Sequence, residues 1–132
     1  MNKVKQFKSW KAFDKAKEKD GIAYTARVGH IEASPAELVR LFGKPLKSDG
    51  YKTSGEYLFK IHDRYITLYD WKRTSLYDDS LPSPADYWKN EERVILNVGS
   101  QHLEHDSGYT VYLLLDLIQA RRAELKAKEN VA

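Results

Sequence analysis

Apolar side chains recur at three-residue steps at the start of the chain. Val4, Phe7, Trp10 and Phe13 stand among lysines, which predicts an amphipathic helix from Lys3 to Lys19, stopped by Asp20-Gly21. The period then changes to two. Ile22, Tyr24, Ala26 and Val28 interleave with Ala23, Thr25 and Arg27, the pattern of a half-buried strand within Ile22 to Ala33, bent at Gly29. Ser34, Pro35 and Glu37 form a capping box with proline at the first helical position. A helix of two turns follows on Leu38, Val39, Leu41 and Phe42, and Gly43 and Pro45 end it.

After a polar loop around Asp49-Gly50, Tyr57, Phe59 and Ile61 alternate with Leu58 and Lys60. His62-Asp63-Arg64 then turns the chain, and Tyr65 to Trp71 alternates again as the second arm of a β-hairpin. Large side chains occupy both faces of that arm, so it is either covered on both sides or exposes aromatic surface. Lys72 to Glu92 is too long for a plain connection, and its Tyr77, Tyr87 and Trp88 argue for an ordered segment. Ser83-Pro84-Ala85-Asp86 repeats the capping logic and predicts one helical turn that docks Tyr87 and Trp88. Val94 to Val98 reads as a buried strand closed by Gly99. A last helix begins near Ser107, apolar on most sides through Leu113, Leu114, Leu117 and Ile118 and charged beyond Ala120. The expected fold is α+β: an antiparallel sheet of about four strands with helices packed on it, in the order α-β-α-β-β-β-α.

A length of 132 residues suits one domain. Within 1–132, residues 1–20 form the lysine-rich helix, 21–120 the α+β core and 121–132 a charged helical extension. The absence of cysteine rules out disulfides and thiolate metal sites and fits a reducing compartment. Neither a signal-peptide pattern at the start nor an apolar run approaching the roughly 20 residues of a membrane span is present. The expected setting is therefore cytoplasmic, away from membranes. Net charge is +3, but Lys3, Lys5, Lys8, Lys11, Lys15, Lys17 and Lys19 face only Asp14 and Glu18. Such a segregated basic arm either favours an anionic partner or serves as a solvated helix face.

Candidate chemistry is sparse. His102 and His105 have a spacing that could chelate a cation on one helical turn, but no third ligand accompanies them in a recognisable motif. Asp78-Asp79 and Asp86 could act on a cation or as an acid–base pair, although loop acids are usually solvated or paired, here with Lys72 and Arg73. No phosphate-binding glycine loop, dinucleotide fingerprint, serine elbow or zinc-hydrolase helix occurs, so neither an enzyme nor a cofactor or metal protein is expected. What stands out is the interleaving of rings and cations in Tyr69-Asp70-Trp71-Lys72-Arg73, Tyr77 and Tyr87-Trp88-Lys89. These residue types anchor interfaces and stack on bases, and they also build cores and lids.

The same stretch carries a resemblance. Asp49 to Tyr57, Ile66-Thr67-Leu68-Tyr69-Asp70-Trp71-Lys72, Thr74 to Asp78, and Pro82-Ser83-Pro84 with Trp88 resemble a family of small proteins encoded by tailed bacteriophages. In that family a YDWK strand precedes a proline-bearing loop and a strand ending in (I/V)GG. Here Asn97-Val98-Gly99-Ser100 departs at the second glycine. The likeness runs from about Leu41 to Gly99 and implies a phage accessory protein in the host cytoplasm, with no catalytic residue carried over. The sequence thus points to a binding protein that inhibits or redirects a host macromolecule. Trp71, Lys72, Arg73, Tyr77, Tyr87 and Trp88 would contact a host protein, and Phe7, Trp10 and Phe13 would mediate self-association as a homodimer. Direct nucleic-acid binding and sequestration of a nucleotide-like small molecule are the alternatives.

Overall fold

Five strands pair antiparallel in the order β1-β3-β4-β5-β2. The structure is a computed structural model that describes residues 3–101 and 107–131. Along the chain run β1 (Val4–Phe7), α1 (Trp10–Lys19), β2 (Ala26–Ala33), α2 (Pro35–Phe42), β3 (Glu56–Ile61), β4 (Arg64–Tyr69), α3 (Pro84–Tyr87), β5 (Val94–Ser100) and α4 (Ser107–Val131). The α+β class is as expected, with one strand more than the four anticipated.

The extra strand lies within the segment expected to be helical from Lys3. Ser9 caps α1 by accepting from the Ala12 N–H at 3.1 Å, so the helix starts only at Trp10. A three-residue spacing suits a helix, but on a strand it sends Val4 and Phe7 to opposite faces. The sheet uses both. Phe7 pairs in register with Leu58 and packs with Phe13 and Tyr65, whereas Val4 joins the core on the other face. The helix therefore folds back on its own sheet. Phe7 and Phe13 are buried, and Trp10 is half-buried and donates from its indole to the Lys47 carbonyl at 2.8 Å. The need for cover that suggested self-association through Phe7, Trp10 and Phe13 is thus met within the chain.

The opposite face holds the main core. Tyr57, Phe59, Ile66, Leu68, Leu96 and Val98 meet Leu38 and Phe42 of α2 and Leu113, Leu114, Leu117 and Ile118 of α4. The Arg122 guanidinium grips Glu37 through two hydrogen bonds, 3.0 and 2.6 Å, and so ties α4 to α2. Only one side of α4 is core in its first half: Tyr109, Tyr112 and Leu115 are exposed, a correction to the reading of that half, apolar on most sides, as core. Sequence periodicity overstated that burial because the sheet covers one stripe of the helix.

The serine half of the expected capping box forms, whereas the Glu37 carboxylate, instead of turning back to the Ser34 N–H, goes to Arg122. Ser34 accepts from the Glu37 N–H and donates to the Asn90 carbonyl, both at 3.1 Å, so it also anchors the turn after α3. Ser34→Ala is expected to cost about 1–2 kcal/mol in urea unfolding. The hairpin turn is tighter than anticipated, with Arg64 already in β4 and His62 at φ 57°. The predicted irregularity near Gly29 is a register shift between Arg27 and Gly29, where a Cβ would press on Val111 of α4. Where the chain reads Gly99-Ser100, a Cβ at Gly99 would collide with the Thr67 hydroxyl, and Ser100 is fully buried with its hydroxyl unpartnered.

Candidate functional site: an aromatic and cationic face

Helix α1 covers only the β1-β3-β4 part of its sheet face, so the rest of that face is open. Register places Glu56, Tyr69, Asn97 and His30 in one row across β3, β4, β5 and β2, with Leu58, Thr67, Gly99 and Arg27 in the next. Arg27 donates from Nε to the Asn97 side-chain oxygen at 3.2 Å. Together with Tyr69 and Trp71 these two line a cleft of about 420 Å³, within the size range of small-ligand sites.

Two loops rim the cleft, and a buried carboxylate joins them. Asp70 follows β4 directly and is wholly inaccessible. It accepts from the Ser54 N–H at 2.8 Å, the Ser54 hydroxyl at 2.8 Å and the Gly55 N–H at 3.0 Å. Ser54 in turn accepts from the Trp88 indole at 3.0 Å. A side chain at Gly55 would strike Trp88 and Pro45, so the close approach requires glycine. Asp49 closes the first loop as an Asx turn, taking the Tyr51 and Thr53 N–H groups at 2.8 and 3.0 Å. The second loop closes on itself through Ser75 N–H to the Pro82 carbonyl, 2.7 Å, and Leu81 N–H to the Asp78 carbonyl, 2.9 Å.

This framework presents Trp71 at 42% exposure with Lys52 and Lys72 over its ring at 5.6 and 5.7 Å. Lys72 also lies 5.2 Å from the Tyr77 ring, which meets Tyr51 at 5.4 Å. Lys72 itself takes φ 58°, a left-handed conformation uncommon for a lysine. Its N–H donates to the Lys52 carbonyl at 2.6 Å, which locks the two loops together. Among the described residues, Arg27, Lys52, Lys72 and Arg73 are in no ion pair. Of the loop acids, expected to be solvated or paired with Lys72 and Arg73, Asp78 takes the Ser80 N–H and hydroxyl at 3.0 and 2.9 Å, and Asp79 and Asp86 are exposed.

Of the residues singled out for partner binding, the fold gathers Trp71, Lys72 and Tyr77 on one exposed surface, with Arg73 exposed beside them. It withdraws the other two. Tyr87 is buried, and Trp88 is half-buried edge-on to Tyr57 at 6.0 Å, sealing the core below Ser54. Both are framework, not contact surface, because α3 turns them inward. Tyr51, Lys52, Arg27 and Asn97 join the face without having been singled out. The Asx-turn sequence Ser48-Asp49-Gly50-Tyr51 signalled the first two, but only cross-strand register places the others.

Glu56 lies at the edge of this region and is buried, with the Ser48 hydroxyl donating to it at 2.8 Å. Burial above all, with Asp70 and Asp49 adding negative charge nearby, pushes its pKa up to about 7. Burial likewise raises Asp70, against the donors that favour its charged form. His102 and His105 lie outside the described residues, and among those described no group of three or more metal-ligating side chains gathers. Among the described residues no helix is long and apolar enough to cross a membrane.

The fold and this face define an α+β protein with one sheet face half covered and half open. No protein-family model matches the chain, and no curated protein matches it.

Proposed function

We propose that the chain is a non-enzymatic accessory protein of a tailed bacteriophage, acting in the host cytoplasm. It binds and inhibits or redirects a host protein through the Tyr51, Lys52, Trp71, Lys72 and Tyr77 surface. The observation that carries this reading is the exposed Trp71 ring, flanked by two cations that are in no ion pair among the described residues and mounted on loops clamped by Asp70. A rigid ring with a cationic rim is what an interface anchor requires, since little entropy is lost when it docks. The phage origin rests on the YDWK resemblance, whose parts have separate tasks here: Tyr69 lines the cleft, Asp70 clamps, and Trp71 and Lys72 are presented.

Affinity capture from host lysate, with and without nuclease, tests the proposal. The wild-type chain is expected to retain a protein that survives nuclease. A Trp71→Ala/Lys72→Glu double variant is expected to lose at least tenfold of it, because an aromatic anchor of this type is worth about 2 kcal/mol or more. Both residues are exposed, so the melting temperature should hold. Equal capture by the variant would refute the assignment.

One observation favours nucleic acid as a second reading. Helix α1 packs on the same sheet face as the ring cluster, so its lysines and the stacking rings share one side of the molecule. Release of the captured material by nuclease, with binding that weakens steeply as salt rises, would select it.

A further inference from the structure

The cleft beside Trp71 holds a guanidinium with two ends to spare. Arg27 is exposed, and its Nε–H is spent on the Asn97 side-chain oxygen at 3.2 Å, which anchors the group on β5. Its two terminal nitrogens have no hydrogen-bond or ion-pair partner among the described residues. The Tyr69 and Trp71 rings, edge-on at 6.5 Å, wall the same cleft. A smaller hollow of about 250 Å³ shares Arg27, Tyr69 and Trp71 with it and reaches Glu56 and Asp49. Neither acid pairs with Arg27. Glu56 takes the Ser48 hydroxyl, and Asp49 takes the Tyr51 and Thr53 N–H groups of its own turn.

We propose that the partner docks by an acidic segment carrying one aromatic residue. A carboxylate pairs with the free fork of Arg27, the ring enters the cleft against Tyr69 and Trp71, and flanking carboxylates meet Lys52 and Lys72. This rests on the reading that the Trp71 surface takes a host protein, and adds the chemistry of the docking segment. Charge complementarity carries it. Arg27, Lys52 and Lys72 are in no ion pair among the described residues, so a neutral partner would cover three cations without compensating them. A planar carboxylate matches the two parallel N–H groups that a guanidinium offers from one edge. At about 420 Å³ the cleft has room for side chains but not for a helix about 10 Å across, so an extended segment fits it. A nucleic-acid strand fits less well. The Lys52 and Lys72 ammoniums already lie over the Trp71 ring, which leaves less of its face to a stacking base.

NMR on the full chain tests this with three probes: a capped peptide with glutamates on both sides of one phenylalanine, its twin with glutamines, and a single-stranded oligothymidine. The acidic peptide is expected to give saturable shifts at the Arg27 Nε–H and the Trp71 indole N–H, and the glutamine twin to bind at least about tenfold more weakly. Arg27→Gln should weaken the acidic peptide by about tenfold, the loss of one bidentate charge-assisted pair. Arg93→Gln removes the same charge from an exposed position outside the cleft and should leave binding unchanged. All these positions are exposed or face solvent, so melting temperatures should hold. The proposal is overturned if the acidic peptide gives no saturable shift, if its twin binds equally, if Arg27→Gln and Arg93→Gln act alike, or if oligothymidine binds more tightly at the same resonances. Lysate capture separates the two levels. A captured protein that depends on Trp71 and Lys72 but is not displaced by the acidic peptide sinks this inference alone, whereas capture indifferent to Trp71→Ala/Lys72→Glu sinks the reading beneath it.

Discussion

Asp70→Ala is expected to lower stability by about 3 kcal/mol or more and to loosen both loops of the ring face together. The carboxylate serves three donors from a site with no access to water, and two of those are the backbone N–H groups of Ser54 and Gly55. Alanine would leave both N–H groups buried and unserved, at about 1–3 kcal/mol each. It would also open a void beside Trp88, whose indole relies on Ser54. The carboxylate's own burial cost, seen in its raised pKa, is relieved in the variant, which keeps the net loss below the sum of three hydrogen bonds. Urea unfolding followed by tryptophan fluorescence gives the stability. Hydrogen exchange should show faster exchange at residues 48–55 and 71–77 while β3 and β4 stay protected. Asp70→Asn retains the volume and one acceptor and should lose less. If Asp70→Ala unfolds at the wild-type urea midpoint, the clamp has no energetic role.

Stability should fall as pH rises from about 4.5 to above 7, by about 3 kcal/mol. The sign follows from Glu56. Its folded pKa of about 7 lies above the ordinary value of 4.5, so between those limits the folded state holds a proton that the unfolded state has released. The stabilisation is complete below 4.5 and is lost as pH climbs through 7. Asp70 acts in the same direction, since its folded pKa is also raised and the two carboxyls repel when both are charged. Asp20, Asp49, Asp78 and Glu91 are shifted downward and lose their contribution only as pH falls below the normal carboxylate range. A stability maximum near pH 5 is the result. Glu56→Gln should flatten the alkaline side and be more stable than wild type at pH 8, because a neutral amide can still accept from Ser48. A wild-type curve level from pH 5 to 8 would mean that Glu56 is ionised at no cost. Because Glu56 borders the Arg27 and Tyr69 region, its proton also sets the charge at the open face.

What could be read along the chain was whatever neighbouring residues decide between themselves. The caps at Ser34 and Ser83, the prolines behind them, the alternation of β3 and β4 and the start of α4 near Ser107 depend on side chains a few positions apart. The order of the 72–92 segment was legible too, because rings rarely occur in a chain that stays unfolded. The character of each ring was not. Trp71 and Trp88 read alike in sequence, yet one stands at the surface beside the Asp70 clamp while the other, turned inward by α3, closes the core on Ser54. The same limit applies at β1, where three-residue spacing served a strand between two apolar layers instead of a helix stripe. Arg27, Tyr69 and Asn97 form a cleft although up to 70 positions separate Arg27 from Asn97. Local composition governs which segments become helix or strand, whereas faces, edges and clefts arise from strand register and from which layer covers which stripe. Those are free-energy choices made among distant segments, and no window of adjacent residues contains them.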